Sequence, residues 1–89
     1  MTIKKNIEEL RSRIDDIDDM IVVLLLKRFA LSKEVGTVKK LAGIIINDPK
    51  REDEIIDRLA QNLEGKIEKD DIAAIFAPIY RVSKKLQAK

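Results

Sequence analysis

One apolar line runs through the first half of the chain. Steps of three and four residues from Ile3 reach Ile7, Leu10, Ile14, Ile17, Ile21 and Leu24, then Leu31, Val35, Val38 and Ala42, and only Arg28 breaks the series. No proline interrupts it, so the spacing predicts one helix from about Ile3 to Ala42, with Gly43 near its C-terminal cap. A helix of about 38 residues is roughly 57 Å long. A compact domain of 89 residues has a radius of gyration of only about 12 Å. Such a helix overshoots its own globule. The segment "MIVVLLL", residues 20–26, is moreover apolar all round, which a one-sided surface helix does not require. Both features ask for a second chain and predict an intertwined homodimer in which the long helices pack together.

The rest of the chain reads as two shorter helices joined by brief loops, giving a single all-α domain over residues 1–89. "GIIINDP" forms the first loop, and Asp48–Pro49 restarts the helix with a capping carboxylate and a proline in the first turn. Ile55, Ile56, Leu59 and Leu63 form the stripe of the second helix. "EGKIEKD" connects it to a third, from about Asp71 to Gln87, with Ile72, Ile75, Phe76, Ile79, Val82 and Leu86 expected inward. Pro78 falls inside this third helix, where a proline removes a backbone hydrogen bond and usually kinks the chain.

Composition narrows the chemistry. The chain has no His and no Cys, so the usual general base, the thiolate nucleophile and the commonest metal ligands are missing. The longest apolar run is far short of a membrane span, and "MTIKKNIEELRSR" lacks the apolar core of a signal peptide. A cytoplasmic protein is the expectation, with neither membrane nor nucleic acid as a partner. Net charge is +2 with both signs interleaved, and aromatic residues make up 3%, whereas nucleic-acid binders gather cations on one face with aromatics to stack on bases. The acidic stretch "IDDIDD" lacks the glycine and spacing of a calcium loop and reads as a solvated helix face.

The polar exceptions to the stripes are the candidate site. Arg28, Ser32, Val35 and Lys39 share one helix face at i, i+4, i+7 and i+11. Glu52 continues the inward stripe of the second helix, with Asp48 one turn earlier and Arg51 beside it. Ser83 and Gln87 extend the stripe of the third. Helices pack stripe against stripe, so these interruptions should meet in a polar pocket rich in cations. Buried charges must pair or receive a charged ligand. A register-fixing Arg–Glu pair and a ligand site both satisfy that rule, and pattern alone leaves the two open. Gly36, inside the first helix, suggests close packing or ligand approach. Arg11 lies too far along a straight helix to reach the pocket of its own chain. An antiparallel partner could deliver it; a surface pair with Asp15 is the plainer alternative.

Taken in order, "LRSRIDDIDDMIVVLLLKR" (residues 10–28), "VGTVK" (35–39), "NDPKRE" (47–52) and the Ser83/Gln87 pair resemble the all-helical class of chorismate mutases over nearly the whole chain. The resemblance implies an intertwined dimer of three-helix chains that converts chorismate to prephenate in phenylalanine and tyrosine biosynthesis, with no cofactor or metal. It implies that Arg28 and Arg11 of the second chain hold the substrate's two carboxylates, and that Lys39 and Gln87 donate to the ether oxygen. Glu52 would hold the ring hydroxyl with Asp48 beside it, and Arg51 and Ser83 would assist in hydroxyl and carboxylate binding. Ser32 and Val35 share the face of Arg28 and Lys39 and complete the expected substrate-binding set. An isochorismate-pyruvate lyase of the same fold and a non-catalytic helical dimerisation module are the alternatives. Nothing in the sequence resembles a fused dehydratase, dehydrogenase or regulatory domain, so the expectation is a monofunctional enzyme.

Overall fold

The computed structural model describes residues 2–89, with side chains from residue 3 onward. Three helices follow one another: α1 (Thr2–Ala42), α2 (Pro49–Asn62) and α3 (Lys69–Ala88), with no strand among the described residues. The chain divides into two compact units, Met1–Ala30 and Leu31–Lys89.

In the first unit the sequence pattern makes a helix and nothing more. None of its described residues is buried, and only Leu25, Arg28 and Phe29 are even half-buried. The apolar series is intact as periodicity but faces outward: Ile17 is 50% exposed and Leu24 63%. Asp15, Asp16, Asp18 and Asp19 are all exposed, as a solvated helix face would be.

The second unit holds the core. The C-terminal part of α1 closes on Gly43, whose φ of 70° lies where only glycine sits without strain. The Ile44 N–H donates to the Lys39 carbonyl at 2.8 Å and the Gly43 N–H to the Lys40 carbonyl at 3.3 Å, which is a Schellman cap. α2 starts as its residues predict. Asp48 is the N-cap, its Oδ1 accepting the Arg51 N–H at 3.1 Å, and Pro49 occupies the first turn, where its missing N–H is no loss.

α2 lies against α3, and the buried apolar side chains among the described residues belong to these two helices: Ile55, Ile56 and Ile72. Two expectations for α3 are corrected. It begins at Lys69 rather than Asp71, with Glu68 as an N-cap that makes no side-chain capping bond; without that signal, the acidic first turn alone marks the boundary. Ile75, expected inward, is 56% exposed. It sits roughly 60° around the helix from Ile72, beyond what α2 covers. Pro78 stands within α3, which continues through it to Ala88.

Candidate functional site

The second unit brings several of the expected residues together where α1 meets the end of α3. A β-carbon built on Gly36 would stand 2.7 Å from Gln87 Cα and 2.9 Å from its carbonyl oxygen, so the two backbones touch at this point. Ser32 and Lys39, one turn to either side of Gly36, share its face of α1 and are half-buried. On α3, Ser83 lies one turn before Gln87 and is 5% exposed. The Gln87 Oε1 atom is buried with no hydrogen-bond partner in the protein. A buried amide oxygen in that state retains capacity for a donor.

Lys39 is held by the loop that its own helix cap creates. Its carbonyl accepts the Ile44 N–H, and its Nζ donates to the Ile46 carbonyl at 3.2 Å. No carboxylate among the described residues comes within ion-pair distance of this ammonium. The cation is therefore aimed by a carbonyl dipole and not neutralised by an acid.

Glu52 is fixed from α3. The Tyr80 hydroxyl donates to its backbone carbonyl at 3.3 Å, and Lys84 Nζ lies 3.0 Å from its Oε2. Tyr80, Ser83, Lys84 and Gln87 are spaced i, i+3, i+4 and i+7, so the last two turns of α3 present one polar face. Lys84 and Tyr80 were not among the sequence candidates. The signal that could have found them is the polar i, i+4 pair with a cation opposite the acid of α2. Together with Asp53, Ile56 and Arg81, these residues line an open cleft of about 490 Å³ between α2 and α3.

Other expected residues stand apart. Asp48 and Arg51 are exposed at the start of α2: the carboxylate of Asp48 caps the helix, and the Arg51 guanidinium is 3.9 Å from Glu54 in a solvent-facing pair. Val35 is exposed. Arg11, exposed, and Arg28, half-buried, belong to the first unit.

Known proteins give this arrangement a family. The model of chorismate mutase type II matches residues 10–88. A chorismate mutase from Methanocaldococcus jannaschii is 44% identical over 55 residues, covering 62% of this chain and 56% of that protein. A bifunctional chorismate mutase/prephenate dehydratase from Aquifex aeolicus is 40% identical over 55 residues, covering 62% of this chain and 15% of that protein. The match thus spans little more than half of the first relative's length and a small part of the second's. The structure of chorismate mutase (form II) from Thermus thermophilus superposes with a TM-score of 0.89 at 30% identity, covering 94% of this chain and 96% of that one. The family match takes in α1 from residue 10 onward, all of α2 and α3, and every candidate site residue from Arg11 to Gln87, and the chain belongs to the chorismate mutase type II family.

Proposed function

We propose that the protein converts chorismate to prephenate, acting as an intertwined homodimer in the cytoplasm with two sites, each completed by both chains. The observation that carries this reading is Lys39, a half-buried cation aimed by the Ile46 carbonyl and lacking a carboxylate among the described residues. It stands one turn from the contact that holds Gln87, whose Oε1 is buried and unpaired. An ammonium with no acid beside it suits an incoming anion.

The rearrangement is a single concerted step. The ether C–O bond breaks as a C–C bond forms, and negative charge grows on the ether oxygen. No nucleophile, metal or obligatory proton transfer is required, so a chain without His or Cys has the groups it needs. Lys39 and Gln87 donate hydrogen bonds to that oxygen. Fixed donors count for more here than in water, because they do not have to reorient as charge develops. Arg28, and Arg11 supplied by the second copy, take the two carboxylates and hold the flexible substrate in the folded conformer that brings the reacting carbons together. Glu52 accepts from the ring hydroxyl while Lys84 and Tyr80 keep it in place. Asp48, already spent on the cap, acts by fixing the start of α2 and with it Glu52. Ser83, Ser32, Val35 and Arg51 line the remainder.

The second copy is supported by the first unit. This apolar stretch, with no buried residue among those described in the first unit, gains about 1.5–3 kcal/mol for each Ile or Leu side chain that a partner fully covers. Among the described residues no helix is long and apolar enough to cross a membrane, which leaves a protein partner as the natural cover.

The test is direct. Purified protein is mixed with chorismate and no added cofactor, and the product is identified. Prephenate is expected. Unchanged chorismate from a folded sample would overturn the proposal, and pyruvate released from isochorismate without mutase turnover would favour the lyase.

A further inference from the structure

The geometry points to Gly36 as a positioning residue for Gln87: its missing side chain is what lets the last turn of α3 sit against α1, so that the amide is held at the ether oxygen. This rests on the reading of Gln87 as a donor. Glycine in the middle of a helix weakens it relative to alanine, so some gain must offset that loss. Backbone conformation does not supply one, because the described glycines with positive φ are Gly43 and Gly65, and Gly36 is not among them. Space does. The atoms that a methyl group at position 36 would meet are Gln87 Cα at 2.7 Å, Cβ at 2.8 Å and O at 2.9 Å. Two of the three are backbone, so no rotamer change relieves the overlap and the helices must separate.

What they would separate is the point where the Gln87 backbone rests on α1. Gly36 is itself buried, and Gln87 Oε1 is buried and unpaired, so no hydrogen bond from the protein to that oxygen holds the amide in place. Its position comes from the backbone beneath it. Ser32 and Lys39 flank Gly36 on the same face, so the glycine also sets the separation between the Gln87 amide and the Lys39 ammonium, the two proposed donors. A shift of a few tenths of an ångström spoils donor geometry long before it unfolds a helix.

A double-mutant cycle in the full chain tests this. Wild type, Gly36→Ala, Gln87→Ala and the double variant are compared by far-UV circular dichroism, urea unfolding, kcat and KM on chorismate. We expect Gly36→Ala to stay helical and to lose at least about tenfold in kcat with KM nearly unchanged, because the lost interaction belongs to the transition state. In the Gln87→Ala background the same substitution should change kcat by less than about twofold, since residues acting through one contact are not additive. An equal loss in both backgrounds, or full activity of Gly36→Ala, overturns the inference. If Gly36→Ala is unfolded in buffer, all four proteins are compared in trimethylamine N-oxide, which favours the folded state without relieving the contact. Should it remain unfolded there while Gln87→Ala folds, the glycine serves the fold and the inference fails. Full activity of Gln87→Ala removes the premise about the donor, and a wild type without turnover overturns the proposed function instead.

Discussion

The two units of this chain are written in the same vocabulary and reach different ends. Residues 1–30 carry an apolar series that only Arg28 breaks, and none of their described residues is buried. Residues 31–89 carry shorter stripes and bury Ile55, Ile56 and Ile72, the last to 2% exposure. Periodicity says which face of a helix is apolar; it does not say what will cover that face. In the second unit α2 and α3 cover each other. The first unit is a helix with no other element of its own, and a second copy is the occupant proposed above.

The sharpest way to break that contrast is to place a charge in the seam. Ile17 is half exposed in the single chain, so Ile17→Asp should be nearly silent if the helix meets only water. If a second copy covers it, an unpaired carboxylate is buried twice per dimer, and the expected outcome is loss of the dimer, of much of the helicity and of measurable activity. Light scattering coupled to gel filtration, with circular dichroism, reads the result. Asp18→Ala on the solvated side of the same helix should stay within about 0.5 kcal/mol of wild type. A stable, monomeric and active Ile17→Asp protein would end the dimer proposal.

The next effect tests the second unit. Lys39→Ala removes the cation that the α1 cap and its loop hold in place, and kcat should fall by about 10²–10³, the usual loss for one transition-state donor. The fold should survive, because the ammonium contributes one bond to a loop carbonyl. Near-normal turnover would take Lys39 out of the mechanism.

A smaller but more specific signal tests the pairing of two chains through the first unit. Arg11→Ala and Arg28→Ala should each be inactive. Unfolded and refolded together, they should form mixed dimers with one intact site, restoring roughly a quarter of wild-type activity if the chains pair at random in a two-fold dimer. No restoration would mean that both arginines serve the same site from one chain.

Local signals in the sequence were legible, and pairings between distant segments were not. Asp48 and Pro49 announce the start of α2, and Gly43 the end of α1, because capping is settled within a few residues. The identities of Lys39, Glu52, Ser83 and Gln87 stood out as polar breaks in apolar stripes. Gly36 read only as close packing or ligand approach; that its neighbour is the backbone of Gln87 depends on how α1 and α3 cross, which no window of sequence contains. Lys84 and Tyr80 carry no such mark, for a related reason. Each is ordinary on its own helix and acquires meaning only opposite Glu52. The spacing of Ile75 fits the inward stripe, but coverage is decided by the reach of α2, and Ile75 stays exposed.

The weakest effect is expected at the other end of the second unit, and it separates contacts that hold the fold from contacts that decorate it. Lys69 Nζ lies 2.6 Å from Asp57 Oδ1 across α2 and α3, with both side chains more than half exposed. The hydrogen bond and charge of Asp57 hold the Lys69 ammonium above the ordinary lysine range. A group whose folded-state pKa is raised contributes stability that is fully present below its unfolded value and lost as pH rises through the folded value. The contribution therefore exists at neutral pH and vanishes only in strong alkali. Water and salt screen a pair this open, so Lys69→Met should move the melting temperature at neutral pH by no more than the limit of detection, and less still in high salt. A clear loss of stability in Lys69→Met at neutral pH, absent above the lysine range, would show that this ion pair and not the Ile55, Ile56 and Ile72 core fastens α3 to α2.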